Sequence, residues 1–198
     1  DPEKVMEIAK WHNERIRTHG PNMQLHRFGT PGLVDGLNAS GILPTRNFRE
    51  GVFEGAGKIN GQAMIDTIYQ RHEGCYACAA RCKRVVGCAE PYHVDPRYGG
   101  PEYETLASLG SLCGIDDLPA IAKGHELCNR LGLDTISTGA VIAFAMECCE
   151  RGLLRKDDTD GIDLRFGRAD LIVPLVEKIA LREGRLGNIL AEGVKRAS

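Results

Sequence analysis

The segment GCYACAARCKRVVGC, residues 74–88, sets four cysteines in fifteen positions, interleaved with Arg81, Lys83 and Arg84. Cys75, Cys78 and Cys82 follow the spacing C-x2-C-x3-C, and Cys88 comes after a further five-residue gap. Gaps of two and three residues let three thiolates converge on one small object from a tight turn entering a helix, where backbone N–H groups can also donate to cluster sulfides. The neighbouring cations favour the thiolate form and offset the negative charge of a ligated cluster. Spacing alone leaves three chemistries open. One is an iron–sulfur site, and the second is a zinc site completed by Cys88. The third is an idle or redox-active C-x2-C with a stray thiol, although a thiol–disulfide protein calls for a βαβ pattern that is not found here.

The other groups with chemical potential are more ambiguous. Cys113, Cys128, Cys148 and Cys149 lie among apolar neighbours and read as buried small hydrophobes. In NRLGLD, Asn129 to Asp134, the glycine Gly132 fits a helix end and Asp134 fits the acceptor that opens the next helix. Glu104, in GPEYE, reads as a solvated helix-start glutamate or as a carboxylate able to move a proton, with Glu102 as the neighbouring alternative. His125 reads as a surface or interface histidine, and the other five histidines are scattered along the chain and left unassigned.

The elements that must position these residues are mainly helical. Residues 3–17 carry Val5, Ile8, Trp11 or His12, and Ile16 on one face, an amphipathic helix closed by Gly20-Pro21. Residues 29–60, with seven glycines, predict mostly loop. A short helix over GQAMIDTIYQRH leads into the cysteines, followed by an irregular stretch, EPYHVDPRYGGPEYE. From about residue 102 the pattern is helical: DDLPAIAKGHELCNRLG capped by Asp116 and stopped at Gly132; TISTGAVIAFAMECCERG ending at Gly152; RADLIVPLVEKIALREG carrying Leu171, Leu175, Ile179 and Leu181, with Pro174 in position to kink its first turn; and LGNILAEGVKRA. No alternating strand pattern stands out, and the helix-to-glycine stops share no fixed period, so there is no repeat.

With 198 residues and a formal net charge of −2, the chain offers no global case for nucleic acid or an anionic membrane. Its longest apolar run, AVIAFAMECC, is half the roughly 20 residues that span a bilayer. Asp1 is not an initiator methionine and no signal peptide follows it, so the chain reads as cut from something longer, with the cytoplasm as its default compartment and its thiols reduced.

Longer words carry a resemblance. GLNASGILPTRNF (36–48), CYACAARCKR (75–84), GPEYETLASLGSLCGIDD (100–117), ELCNRLGLDTISTGAVIAFAMECCERGLL (126–154) and ILAEGVKRAS (189–198) closely resemble, in order and over nearly the whole chain, the middle part of tungsten-containing aldehyde:ferredoxin oxidoreductases. The resemblance implies a three-domain redox enzyme. This chain would be a single multihelical domain, the second of the three or that domain with the start of the third, carrying long glycine-rich loops. The N-terminal and C-terminal domains of the same chain would lie outside it.

The implied cofactors are a [4Fe–4S] cluster and a tungsten bis-molybdopterin, both incomplete or absent in an isolated piece. Cys75, Cys78 and Cys82 match three cluster ligands, the fourth coming from far downstream, which leaves Cys88 a spare. Asn129, Gly132, Leu133 and Asp134 match the pterin motif D-x-x-G-L-D, with asparagine replacing its first aspartate. Glu104 matches a glutamate beside the substrate pocket. The implied activity is oxidation of an aldehyde to a carboxylic acid, with electrons passed to ferredoxin or another carrier by a homo-oligomer that uses no nucleic acid and no membrane. The excised domain itself should be inactive. Two other readings stand beside it: a tungsten subunit of the benzoyl-CoA type that reduces aromatic acyl-CoA rings, and a non-catalytic helical zinc or iron–sulfur module. The loops 29–60 and 83–101 are expected to be poorly ordered without cofactor and neighbouring domains, having little else to pack on.

Overall fold

A computed structural model describes residues 1–198. Helix α1 (Pro2–Ile16) opens on Asp1, whose side chain accepts from the Glu3 N–H at 3.1 Å, with Pro2 where no helical N–H is needed. The expected apolar stripe is there but largely uncovered: Val5, Ile8 and Trp11 are 64%, 64% and 59% exposed, and only Ile16 is partly buried. Gly20-Pro21 does more than close this helix. It starts α2 (Gly20–Phe28), with the proline in the first turn.

The glycine-rich stretch departs from expectation. A 3-10 turn, Thr30–Gly32, runs into α3 (Leu33–Ala39), and α4 (Ala56–Ile59) follows. Between them the chain is irregular but anchored, since Val34, Leu43, Phe53 and Ile59 are all buried in the core. Asn38 brackets the Phe53 backbone, accepting from its N–H at 2.7 Å and donating to its carbonyl at 3.2 Å. The premise that these loops lack packing partners therefore fails; glycine supplies tight paths between buried anchors. In the 83–101 stretch, Val85, Val86 and Val94 are likewise buried.

Helix α5 (Gly61–Thr67) is capped by Asn60 and ends five residues before the expected point. The chain then forms an antiparallel hairpin of β1 (Tyr69–Glu73) and β2 (Lys83–Val86), pairing His72 with Arg84 and Glu73 with Lys83. The sequence predicts no strand because β1 is solvated on much of both faces and only β2 buries a run, Arg84 to Val86.

The core lies in the second half. A single turn, α6 (Tyr103–Thr105), widens into a π-helical turn, Leu106–Gly110, followed by a 3-10 turn, Ser111–Cys113. Helix α7 (Leu118–Leu131) is capped by Asp117, whose carboxylate accepts from Ala120 N–H at 2.9 Å; Asp116 instead pairs with Lys58. Gly132 ends α7 at φ 74°, a backbone conformation that favours glycine. Helix α8 (Thr135–Glu150) begins on Asp134 and passes so close to the π turn that Gly139 faces the Ser108 backbone without room for a Cβ. Helix α9 (Ile172–Leu181) packs on α7 and carries Pro174 in its first turn, where the missing N–H costs no helical bond. Leu175 and Ile179 are buried as expected, but Leu181 is exposed, and the helix stops at Arg182, φ 53°, before Gly184. The tail forms α10 (Gly184–Leu190) and α11 (Val194–Ala197), broken at Gly193. No single helix is long and apolar enough to cross a membrane. The expectation of a mainly α multihelical chain holds, with the hairpin as its one sheet.

Candidate functional site

Cys75, Cys78 and Cys82 all lie on the connection between β1 and β2. The expected turn entering a helix is thus a hairpin loop. Cys75 and Cys78 are exposed and Cys82 is half-buried; all three are free thiols. A turn with Cys78 N–H on Cys75 C=O at 3.1 Å, and positive φ at Ala77 (55°) and Arg81 (46°), curls the loop tightly. As it stands, no three His, Cys, Asp or Glu side chains converge to hold a metal ion. Burial first, then Glu102, raises the Cys82 thiol above its ordinary range, so the nearby cations do not by themselves secure a thiolate there. Cys88 is engaged elsewhere, its Sγ donating to Tyr92 C=O at 3.2 Å, and burial pushes its pKa up as well. Cys113 and Cys128 are buried, their thiols pushed to about 12 and about 11 by burial; Cys148 and Cys149 are half-buried. The first two match their reading as buried small hydrophobes; Cys148 and Cys149 are less enclosed than that reading expects.

Beneath the loop sits Arg84, 1% exposed. Its Nη1 donates to the carbonyls of His26 and Arg27, both at 2.7 Å, and to His72 Nε2 at 3.0 Å; its Nη2 donates to Arg81 C=O at 2.7 Å. No carboxylate pairs with it, and its Nε–H is buried without an acceptor. Burial lowers its pKa against the pull of Tyr69, Cys82 and Glu102. Because a guanidinium can only donate, His72 Nε2 must be bare, leaving Nδ1–H to meet the Tyr69 hydroxyl. Burial, then Arg84, holds His72 below its ordinary range. His26 lies against His72, with ring centroids 4.6 Å apart and planes tilted by 45°, and contacts Ala80 C=O through Nδ1 at 2.7 Å. In the sequence Arg84 stands as one of three cations with Arg81 and Lys83, and neither histidine is marked by its neighbours. The signal lay in the strand register, which was not visible as such.

A seam of short contacts runs from this loop to the other candidates. A Cβ on Gly29 would stand 2.7 Å from Cys82 O, so α2 ends directly against the cysteine loop. Next to it, Thr30 accepts from Tyr103 N–H at 2.8 Å and donates to the Glu102 carboxylate. Glu102 is thereby tied, whereas Glu104 is exposed and bound to no protein group. One residue on, the Thr105 and Thr135 hydroxyls share a hydrogen bond at 2.9 Å, which brings Glu104's turn against the start of α8 and so beside Asp134. Asp134 accepts from Ser137 N–H at 2.7 Å through one oxygen and leaves the other to solvent. Leu133 N–H is spent on Cys128 C=O at 2.8 Å, and Asn129 Nδ2 on His125 C=O at 2.8 Å. Open space surrounds Gly132, so its φ alone demands glycine, and a ligand has room to approach. His125 is half-buried against Tyr98 C=O rather than at the surface.

Residues 7–198 match the family model described as aldehyde ferredoxin oxidoreductase, domains 2 and 3. The chain belongs to the aldehyde ferredoxin oxidoreductase family. It is 40% identical over 195 residues to the tungsten-containing aldehyde ferredoxin oxidoreductase of Thermococcus kodakarensis, covering 96% of this chain and 30% of that protein. It is 40% identical over 190 residues to the enzyme of the same name from Pyrococcus furiosus, again 96% and 30%. The chain thus spans about 30% of the length of these curated relatives. Among solved structures, the active site complex BamBC of benzoyl coenzyme A reductase with 1,5-dienoyl-CoA is similar, with a TM-score of 0.62 and 20% identity over 87% of this chain and 25% of that one. At that identity the likeness is one of fold.

For a member of the aldehyde ferredoxin oxidoreductase family, the donor set fits an iron–sulfur group in kind. Three thiols share one short loop, and a buried cation with an unused N–H lies beneath it. Their present spread leaves the trio to be drawn together.

Proposed function

We propose that this chain is the helical portion of a tungstopterin iron–sulfur enzyme that oxidises aldehydes to carboxylic acids, RCHO + H2O → RCOOH + 2H⁺ + 2e⁻. The observation that carries the reading is identity of about 40% along essentially the whole chain to enzymes bearing that name. The tungsten, its molybdopterins and a [4Fe–4S] cluster would together supply the two-electron oxidation and one-electron delivery to ferredoxin or a similar carrier.

This chain's own share is binding, orientation and proton handling. Cys75, Cys78 and Cys82 hold the cluster with a fourth ligand from elsewhere in the protein. Asp134, with a free carboxylate oxygen, accepts from pterin N–H groups; Asn129 and Leu133 flank it, and the open side of Gly132 admits the ring. Glu104, uncommitted and exposed, takes a released proton, while Glu102 serves to fix the turn through Thr30. The same reading places the protein in the reducing cytoplasm.

The test uses the full-length protein, purified without oxygen and assayed for aldehyde-dependent reduction of a carrier. Glu104→Gln should lower kcat by roughly a hundredfold or more with iron content unchanged. Glu102→Gln should lower thermal stability first. Stoichiometric zinc with no iron–sulfur absorption, or turnover of aromatic acyl-CoA in place of aldehydes, would overturn the reading.

A further inference from the structure

Of the cations around the cysteine loop, only one is buried. Lys83 stands near Glu73 at 4.0 Å with about half its side chain exposed, and Arg81 is exposed. Arg84 instead lies in the interior with no carboxylate partner and one N–H unused. A cation buried this way costs several kcal/mol unless oriented dipoles or an anion compensate it. Two of its acceptors are carbonyls in the last turn of α2, where the helix end is electronegative. Another is the Arg81 carbonyl, which belongs to the peptide bond entering Cys82. The carbonyl leaving Cys82 is seated against Gly29. Both sides of the Cys82 peptide are therefore held, one by the guanidinium and the other by the end of α2.

We propose that Arg84 is the positioning residue of the cysteine loop: it fixes the backbone that presents Cys82 and provides the buried positive charge for an anionic cluster bound there. The second half rests on the iron–sulfur reading above; the first does not. A neighbouring cation stabilises the more negative, reduced state of a cluster, so its loss lowers the reduction potential. A donor left without an acceptor in the interior is a bond waiting for one, and cluster sulfur is an acceptor.

Two variants separate geometry from charge. Arg84→Gln removes the charge and most of the bonds; Arg84→Lys keeps the charge but cannot reach all the carbonyls. The first readout is alkylation of the iron-free full-length protein, followed site by site with mass spectrometry. Both variants should raise the rate at Cys82 by about tenfold relative to Cys75 and Cys78 in the same molecule, the signature of a locally opened segment. The second readout is the reduction potential and the iron and acid-labile sulfide content of the holoprotein. Arg84→Gln should lose at least half its iron and shift the remaining cluster to a lower potential, with Arg84→Lys close to the parent potential. Unchanged Cys82 protection in Arg84→Lys overturns the positioning role even if Arg84→Gln fails to fold. An unshifted potential in Arg84→Gln overturns the charge role. A parent protein that never holds an iron–sulfur cluster removes the proposed function and the charge role together, and leaves the alkylation result to decide the first.

Discussion

Helix α8 approaches the π-helical turn closely, and Gly139 is where the approach can be measured. A Cβ at that position would stand 2.4 Å from both the carbonyl carbon and the oxygen of Ser108 and 2.7 Å from its Cβ, about 1 Å inside ordinary contact. The obstacle is backbone, and it cannot rotate away. Gly139→Ala must push α8 off Leu106–Gly110, which also pulls the Cys113 thiol from its two acceptors, Ser108 C=O and Gly139 C=O. Overpacking of this kind costs about 3 kcal/mol. For a chain of this size that is a fall of roughly 6–12 °C in melting temperature. Two companions calibrate it. Gly124→Ala meets Ile172 Cγ2 at 2.6 Å and Leu109 Cδ1 at 3.1 Å, side-chain ends that can shift, and should lose about half as much. Gly36→Ala, inside α3 with nothing within 4 Å, should gain up to about 1 kcal/mol. Thermal unfolding followed by circular dichroism gives the order. If Gly139→Ala melts within about 2 °C of the parent, or below neither companion, the close approach of α8 is not there.

Other outcomes follow from single residues. Asp117→Ala should cost about 1 kcal/mol by removing the α7 cap, and Asp116→Ala clearly less, measured by urea denaturation. The Lys178 ammonium, then the N–H groups of Arg185 and Leu186, holds Asp160 below the usual carboxylate range. Its contribution is therefore full above the unfolded value of about 3.9 and is lost as pH falls through the lower folded value. The stability gap between parent and Asp160→Asn should narrow steadily below about pH 4, and a constant gap would contradict the assignment. In cofactor-free native protein at pH 8, iodoacetamide should modify Cys75 and Cys78 first and leave Cys113 and Cys128 untouched until denaturant is added.

Much of the helical half was legible because its punctuation is local. Gly132 stops α7, Asp134 starts α8, and the apolar periodicity of Leu175 and Ile179 marks a buried face. The hairpin was hidden because YQRHE has no buried face to alternate, and KRVV is too short to show a period. In residues 29–60 glycine count outweighed Val34, Leu43 and Phe53, which are spaced irregularly and become a core only through tertiary contact. The site divides the same way. Cysteine spacing and the family words named its members, but which glutamate is tied and which is free depends on Thr30, seventy-odd residues upstream. In the sequence Arg84 is one of three cations beside the cysteines, with nothing to single it out from Arg81 and Lys83. Its burial follows from pairing with His72, a long-range fact that no window of sequence contains.

Three of the four groups that receive Arg84's protons are main-chain oxygens, at positions 26, 27 and 81. An oxygen of the peptide unit stays put whichever amino acid supplies it. Relatives can exchange the side chain at 27, and at 81 within what its positive φ allows, and keep the same grip, provided the chain follows the same route. What they cannot exchange without disturbance is Gly29, because there the route itself leaves no space for a side chain.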